Sequence, residues 1–296
     1  MAYLPFELPP ERGSPEPFDI LPPDFLMQTD DEQTRVARTY NSASDFYDNP
    51  ANSFWERFGK RTVDRLELRE GMRVLDVCCG SGASALAAAA AVGSKGYVLG
   101  IDLADDLLAL ARGKAGSRGL EQAEFRTGDL LNLEALPTDF DAVVCVFGIF
   151  FVTDMVGAVR QLWKHVRPGG RLAITTWGPN FFEPVNSEFW NSVRDERPDL
   201  YKSFLPWERI AQPEALRELM LAAGVSNPKA ELEMGTHSLR TPEDWWTMVR
   251  GSGYRATIDQ LSADAHERVR TQNLNFIRES ETHAVEANVV YGQATK

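Results

Sequence analysis

The sequence predicts a doubly wound α/β fold, and two features of residues 72–177 carry that prediction. Short apolar runs alternate with helical segments through this stretch, and the first run passes into a glycine-rich turn that opens a helix. Strands that alternate with helices pair in parallel and carry helices on both faces of the sheet. Ligands of such sheets bind outside the carboxyl ends of the strands, so functional residues are expected at those ends.

An arm and two helices are predicted before the alternating region. Proline blocks regular backbone hydrogen bonding, so its density predicts an extended arm over residues 1–29. A helix is predicted over Asp30–Tyr40. A second helix is predicted to begin at Ser53, whose side chain can cap it while Glu56 reaches back in a capping box. The prolines of the arm are Pro5, Pro9, Pro10, Pro15, Pro17, Pro22 and Pro23.

The alternating region is predicted to form five strands separated by helices. Its short apolar runs are typical of buried parallel strands. Thr153 is predicted to cap the helix after the fourth strand, and Pro168-Gly169-Gly170 to form the turn into the fifth. The strands are predicted over Met72–Val77, Tyr97–Ile101, Ala123–Thr127, Phe140–Phe147 and Arg171–Trp177, and the first two helices over Ser81–Val92 and Ala104–Ser117.

The alternation breaks after Trp177, where aromatic and irregular sequence begins. Helices are predicted from Pro213 to Gly224, after Thr241 and after Ser262, and strands over Lys229–His237 and Ala284–Tyr291. Residues 30–296 are expected to form one domain. Its expected parts include lid helices in residues 30–68 and cap insertions in residues 178–211 and 241–279.

The composition excludes several classes of protein. Lys and Arg number 31 against 43 Asp and Glu, a net charge of −12, which disfavours a nucleic acid or an anionic membrane surface as partner. The three cysteines do not form a disulfide framework, and no apolar run is long enough to span a membrane. The N-terminus lacks the pattern of a signal peptide, so a cytoplasmic location is expected.

The first predicted strand and the turn after it contain the most informative motif. Asp76 is followed by Gly80-Ser81-Gly82, where glycines let the backbone approach a ligand and a helix N-terminus offers free N–H groups. Asp102 ends the next strand at a spacing suited to accepting both hydroxyls of a ribose. These two features also fit a dinucleotide site, because Gly80 to Ala85 matches the loose dinucleotide fingerprint.

Two carboxylates favour a nucleoside that carries a cationic amine over a dinucleotide. Asp76 lies at the end of the strand, where it would repel a pyrophosphate and hold an amine. Gly128-Asp129 follows the third strand, where a carboxylate can accept a hydrogen bond from an adenine amino group.

With these motifs, residues 34–178 resemble class I S-adenosylmethionine-dependent methyltransferases, and most of all the ubiquinone/menaquinone C-methyltransferase type. The segment from Tyr40 to Phe58-Gly59 resembles the cofactor-covering helix of glycine and sarcosine N-methyltransferase-like enzymes. The sequence departs from the family at Cys78, where a glycine usually stands and a side chain restricts positive φ. The resemblance implies that these residues contact the cofactor: Tyr40, Asp76, Cys78, Gly80, Ser81, Gly82, Asp102, Leu103, Gly128, Asp129, Leu130, Phe147 and Gly148.

The resemblance implies a Rossmann-like, mostly parallel seven-stranded sheet with an antiparallel last strand and a helical cap. It also implies transfer of the methyl group of S-adenosylmethionine to an O, N or C atom of a small aromatic or apolar metabolite. Two alternatives stay open at this point: an NAD(P)-dependent oxidoreductase, and a module that binds S-adenosylmethionine without catalysis.

Residues for the acceptor side are predicted from their place at strand ends. Phe150 and Trp177 follow the fourth and fifth strands and are predicted to line the substrate pocket. His237 and His283 are the candidates for a catalytic base, since an antiparallel last strand would bring both to one edge of the sheet. No spacing of His, Cys or carboxylates suggests a metal site, and the oligomeric state is not predicted.

Overall fold

The computed structural model describes the backbone of residues 29–296 and the side chains from residue 33 onward. The predicted arm, residues 1–29, therefore lies outside the described residues except for Thr29, the first residue of a helix. The helices are α1 (Thr29–Tyr47), α2 (Phe54–Asp64), α3 (Ala83–Val92), α4 (Asp105–Ser117), α5 (Met155–His165), α6 (Val185–Glu196), α7 (Pro213–Ala222), α8 (Pro242–Arg250), α9 (Arg255–Ile258) and α10 (Ala263–Glu279). The strands are β1 (Arg73–Val77), β2 (Tyr97–Asp102), β3 (Ala123–Thr127), β4 (Phe140–Val146), β5 (Val166–Trp177), β6 (Lys229–Glu233), β7 (Thr236–Ser238), β8 (Ala284–Glu286) and β9 (Val289–Thr295).

A seven-stranded sheet forms the centre of the fold, in the order β3-β2-β1-β4-β5-β9-β6. The five strands β1 to β5 pair in parallel, and β9 runs antiparallel to both of its neighbours. This arrangement confirms the predicted fold, including the antiparallel last strand. The chain order reverses between β1 and β4, so the carboxyl ends of these two strands flank the crevice in which such sheets bind ligands.

The central strands are buried on both faces, which explains why their sequences read as continuous apolar runs. Val143, Val144 and Cys145 of β4 have no exposed surface. Helices α2 and α3 pack closely beside this sheet. A Cβ atom on Gly59 would lie 2.9 Å from the backbone nitrogen of Ser84, so glycine at this position permits the approach.

Two predicted helix caps are wrong in detail. The side chain of Ser53 makes no capping hydrogen bond to α2, although the helix does follow it. Helix α5 is capped by Asp154 rather than Thr153, since the Asp154 carboxylate accepts a 2.7 Å hydrogen bond from the backbone N–H of Gly157. A carboxylate at this position also interacts favourably with the helix dipole.

Each of the two predicted C-terminal strands is in fact a pair of strands. Residues 229–238 form β6 and β7, and residues 284–295 form β8 and β9. In each pair the shorter strand leaves the main sheet, so that β7 and β8 form a separate two-stranded sheet. The Asn288 side chain joins the two breaks, because it accepts from the N–H of Gly235 and donates to the carbonyl of Pro179.

The segments predicted as cap insertions contain helices that pack on one another. Helix α6 lies in the first segment, and α8, α9 and α10 lie in the second. A buried polar chain joins them: the Trp245 indole donates to Asn273 Oδ1 at 2.9 Å, and Asn273 Nδ2 donates to Ser192 Oγ at 2.7 Å. Within residues 29–296, no helix is long and apolar enough to cross a membrane.

Candidate functional site

A cleft opens at the carboxyl ends of β1, β2 and β4, and helix α1 forms its opposite wall. Its volume is about 740 Å³ including the open mouth. Its lining is mostly apolar with a few polar groups, which is the usual character of a small-molecule site.

Most of the residues predicted to contact a cofactor line this cleft, although they come from five separate parts of the sequence. Four of these parts meet because the parallel strands before them end at one edge of the sheet, and the fifth, Tyr40, comes from α1. The predicted residues that line the cleft are Tyr40, Cys78, Gly80, Asp102, Leu103, Gly128, Asp129, Leu130, Phe147 and Gly148.

Asp102 is the centre of the hydrogen bonding in the cleft. Its Oδ2 accepts from the N–H of Gly80 at 2.8 Å, and its Oδ1 accepts from the N–H of Ala104 at 2.9 Å. Burial raises the pKa of the carboxyl, and the N–H donors oppose that shift. Each carboxylate oxygen can accept a second hydrogen bond, so two ligand hydroxyls can bind here.

Asp76, Ser81 and Gly82 were also predicted to contact the cofactor, but they lie behind the wall of the cleft. Asp76 is 1% exposed, and its Oδ2 accepts a 2.6 Å hydrogen bond from Ser84. Its Oδ1 is buried without a partner in the described structure. Burial raises the pKa of Asp76 to about 7. The hydrogen bond from Ser84 opposes this shift of the pKa, and the negative charge of Asp102 adds to it.

The Ser81 side chain has a structural role instead. Its hydroxyl donates to Asp48 Oδ1 at 2.6 Å and accepts from Lys114 Nζ at 2.9 Å, and the Lys114 ammonium also contacts Asp48. This network ties the glycine-rich loop to the residue after α1 and to α4. It holds the opposite walls of the cleft in a fixed relation.

Two residues other than glycine adopt left-handed backbone conformations at the cleft. Cys78 has φ +61° and Phe147 has φ +55°, so the side chain at position 78 does not prevent positive φ. Such a conformation costs an ordinary residue about 1–2 kcal/mol. A Cβ atom on Gly148 would lie 2.8 Å from Cys78 Sγ and 3.0 Å from Cys145 Sγ, so only glycine fits beside these sulfurs.

Helix α1 contributes a face that the sequence analysis found only in part. Tyr40 was predicted, and it makes an edge contact with Tyr47 at a ring-centroid distance of 6.1 Å. Burial and the nearby Asp102 raise the pKa of the Tyr40 hydroxyl, so it stays protonated. The other α1 residues that line the cleft are Gln33, Val36, Ala37 and Tyr47. Their spacing of three, four and seven residues is that of one helix face, which is the signal that would have identified them.

Trp55 is a second residue that the sequence analysis missed. Its indole stacks on the Tyr47 ring at 5.2 Å with an interplanar angle of 4°, and it lies 5.6 Å from the Phe147 ring. The Trp55 Nε1 atom is buried and has no hydrogen-bond partner in the described structure. Nothing in the local sequence distinguishes this tryptophan from one that only fills the core.

The residues predicted for the acceptor side lie outside the described lining of the cleft. Phe150 is buried, whereas its neighbour Phe151 does line the cleft. Trp177 is also buried and stacks on Phe147 at 4.1 Å, so it supports a lining residue from behind. Their predicted contact with a substrate therefore has no support in the shape of the cleft.

Neither predicted base lies among the described residues that line the cleft. His237 is buried in β7, where its Nε2 and the carbonyl of Ala51 are 2.8 Å apart. A carbonyl only accepts, so Nε2 carries the proton and donates it. Burial lowers the pKa of His237, which favours this neutral form. His283 is exposed just before β8, and the catalytic role of either histidine stays a prediction.

The charge of the cleft is entirely negative. Its charged lining residues are Asp102 and Asp129, and no Lys, Arg or His lines it within the described residues. A site with this lining attracts a cation and repels a pyrophosphate. No group of three His, Cys, Asp or Glu residues that could hold a metal ion is found within the described part of the chain.

Comparison with known sequences gives consistent matches. Residues 27–189 match the model of the ubiE/COQ5 methyltransferase family. Aklanonic acid methyltransferase DauC of a Streptomyces species is 35% identical over 150 residues, which cover 51% of this chain and 68% of the relative. Demethylmenaquinone methyltransferase of Bacillus cytotoxicus is 34% identical over 150 residues, which cover 49% of this chain and 63% of the relative.

A comparison of structures extends the likeness of fold over most of the chain. Phosphoethanolamine N-methyltransferase 2 of Haemonchus contortus, in complex with phosphomonomethylethanolamine and S-adenosylhomocysteine, aligns with a TM-score of 0.55 at 17% identity. The alignment covers 90% of this chain and 60% of that one. At this level of identity the match concerns the fold alone.

Proposed function

This chain belongs to the ubiE/COQ5 methyltransferase family, and we propose that it methylates a small, flat and largely apolar acceptor. Family membership confirms the class and the cofactor expected from the sequence: an S-adenosylmethionine-dependent methyltransferase that acts on a small molecule. It does not support an NAD(P)-dependent oxidoreductase or a module without catalysis. The acceptor, its reactive atom and the role of each residue belong to the proposal.

The negative lining of the cleft is the observation that carries the proposal. Bound S-adenosylmethionine supplies an electrophilic methyl group on a sulfonium sulfur, and its amino-acid tail carries an ammonium group. Both cations suit a cleft whose charged lining residues are Asp102 and Asp129. The unpartnered oxygen of Asp76 behind the wall adds to the negative potential at the glycine-rich loop when this carboxyl is ionised.

Three residues are proposed to orient the cofactor. Asp102 accepts from the ribose hydroxyls, since both of its oxygens have acceptor capacity left. Asp129 accepts from the adenine amino group at the carboxyl end of β3. Phe147 presents its ring at the end of β4, where an aromatic face stabilises a sulfonium by about 0.5–2 kcal/mol.

The apolar side of the cleft supports a flat acceptor. The rings of Tyr40 and Phe151 meet edge to face there, with centroids 5.6 Å apart, and α1 adds Val36 and Ala37. Two relatives are named for action on aklanonic acid and on demethylmenaquinone, which places quinone-type molecules first among the acceptors to test. No histidine lines the cleft within the described residues, which favours an acceptor that is nucleophilic without help from a protein base.

The same proposal includes the setting of the reaction. The net charge of −12 supports a small molecule rather than a nucleic acid as acceptor. The three cysteines are free thiols, which is consistent with a reducing compartment such as the cytoplasm.

Two experiments test the proposal in sequence. Calorimetric titration with S-adenosylmethionine, S-adenosylhomocysteine and NAD should give micromolar binding of the first two and none of NAD. Labelled S-adenosylmethionine is then incubated with quinones, phenols and amines, and the products are identified by mass spectrometry. Binding of NAD alone would refute the cofactor assignment, and methylation of hydrophilic amines alone would refute the apolar acceptor.

A further inference from the structure

Two stacked aromatic side chains of the cleft lining carry hydrogen-bond donors, and one of these donors lies beside the glycine-rich loop. The Tyr47 hydroxyl oxygen lies 3.0 Å from the point at which a Cβ atom on Gly80 would stand, so it overhangs the loop directly. Trp55 stacks in parallel on the Tyr47 ring, and its Nε1 is buried without a partner. A buried N–H group without an acceptor costs roughly 1–3 kcal/mol, so an unmade bond at this place points to a ligand.

The ligand group that needs these donors follows from the charge of the cleft. The amino-acid tail of S-adenosylmethionine carries a carboxylate as well as an ammonium. No cationic side chain lines the cleft within the described residues, and Asp102 and Asp129 repel an anion. Neutral donors therefore suit the carboxylate, and they include backbone N–H groups of the glycine-rich loop as well as side chains.

The remaining neutral donors of the lining are placed elsewhere. Tyr40 lies close enough to Asp102 for that charge to raise the pKa of its hydroxyl. The Cys78 sulfur lies against Gly148. Gln33 precedes Tyr47 by fourteen residues on α1, which is about 21 Å along the helix axis.

We propose that Tyr47 Oη and Trp55 Nε1 donate hydrogen bonds to the carboxylate of the cofactor's amino-acid tail. The proposal rests on the assigned cofactor and adds the residues that bind its anionic end. Burial raises the pKa of Tyr47, so its hydroxyl keeps the proton that it donates. Gly80 lacks a side chain, so no Cβ atom fills the space below the Tyr47 hydroxyl.

Two ligands that differ in the amino-acid tail separate its contribution to binding from that of the adenosine. S-adenosylhomocysteine and 5′-methylthioadenosine share the adenosine and a thioether sulfur, and only the first has the amino-acid tail. Trp55→Phe removes the N–H and keeps an aromatic ring to stack on Tyr47. By calorimetry, this variant should bind S-adenosylhomocysteine about 10- to 100-fold more weakly, the range for a hydrogen bond to a charged group. Its affinity for 5′-methylthioadenosine should change less than about twofold.

Two further variants complete the test. Tyr47→Phe removes only the hydroxyl and should show the same selective loss for S-adenosylhomocysteine. Trp190→Phe is the matched control, because its indole N–H is also buried without a partner but lies outside the cleft lining. This control should leave the affinities for both ligands unchanged. The Tm of each variant reports whether it folds, and Tyr47→Phe tests the proposal on its own if Trp55→Phe does not.

The possible results separate this proposal from the proposed function. If Trp55→Phe and Tyr47→Phe lowered the affinity for both ligands equally, or for neither ligand, the carboxylate assignment would be overturned. The methyltransferase assignment would remain intact. Failure of the unmodified protein to bind S-adenosylhomocysteine would instead refute the cofactor site as a whole.

Discussion

Replacing Asp102 with alanine tests the cofactor site at the residue that makes most of its hydrogen bonds. In the protein alone, the carboxylate accepts from the N–H groups of Gly80 and Ala104. The glycine-rich loop is thereby fixed to the end of β2. The substitution removes both of these contacts and the acceptors proposed for the ribose hydroxyls.

The expected loss of affinity is larger than the loss of stability. Each hydrogen bond from a ribose hydroxyl to the carboxylate is worth about 1.5–3 kcal/mol, so two of them correspond to a 10²- to 10⁴-fold change in Kd. The two N–H groups left without an acceptor destabilise the fold by about 1–3 kcal/mol in total, because water can reach this half-buried place. Removal of a charge that is partly desolvated recovers some of that cost.

Titration calorimetry with S-adenosylhomocysteine measures the affinity, and thermal unfolding measures the stability. Asp106→Ala is the matched control, since it removes the same charge from an exposed position four residues further along the chain. The control should leave the Kd within about twofold. If Asp102→Ala stayed folded and bound S-adenosylhomocysteine with unchanged affinity, the assignment of this cleft to the cofactor would be refuted.

Three further substitutions probe the packing and electrostatics of the site by thermal unfolding and ligand titration. Gly148→Ala forces a methyl group against the Cys78 sulfur and should lower the free energy of unfolding by about 2 kcal/mol or more. The control Gly113→Ala, in open space on α4, should raise it by about 0.5–1 kcal/mol, and equal effects of the two substitutions would contradict the packing at Gly148. The pKa of Asp76 is raised to about 7 in the folded protein, so the unfolded chain ionises this carboxyl at lower pH and the unmodified protein loses stability as pH rises from ~4 to ~7. The Tm of Asp76→Asn should therefore rise relative to that of the unmodified protein over this interval, and a constant Tm difference would contradict the raised pKa. Lys114→Met breaks the network that joins α4 to the glycine-rich loop and should weaken S-adenosylhomocysteine binding several-fold; unchanged binding would show that this network does not shape the cleft.

The central sheet could be predicted because local sequence and tertiary environment agree there. The strand at Ala123–Thr127 has the predicted bounds, and β1, β2 and β4 differ from prediction by one residue at one end. The fifth strand begins at Val166, five residues before the predicted start, so Pro168-Gly169-Gly170 lies within β5 and the turn predicted there is wrong. Buried parallel strands are apolar throughout, and the turns between them carry glycine, proline or an acid. Most of the residues predicted to contact the cofactor line the cleft for the same reason, because the residues at the ends of these strands meet at one edge of the sheet.

The C-terminal half could not be predicted with the same accuracy because its strand breaks depend on distant contacts. Residues 229–238 have the composition of one strand, yet Gly235 is held by the side chain of Asn288, which lies more than fifty residues later. The last strand breaks at the same place, where Asn288 also donates to Pro179. A side chain that satisfies two distant backbone groups leaves no local pattern in the sequence.

The residues missed at the cleft were missed for a different reason, which bears on specificity. Tyr47 continues the face of α1 that contains Tyr40, so the helical period predicts it once the helix is known to extend past Tyr40. Trp55 has no such signal, because its importance lies in an unsatisfied N–H group that exists only in the folded cleft. The strand ends that line the cleft follow from the fold and can be predicted from the sequence. The donors contributed by α1 and α2 depend on how these helices pack over the sheet. Differences in how proteins with this fold bind the cofactor tail are therefore expected in those two helices.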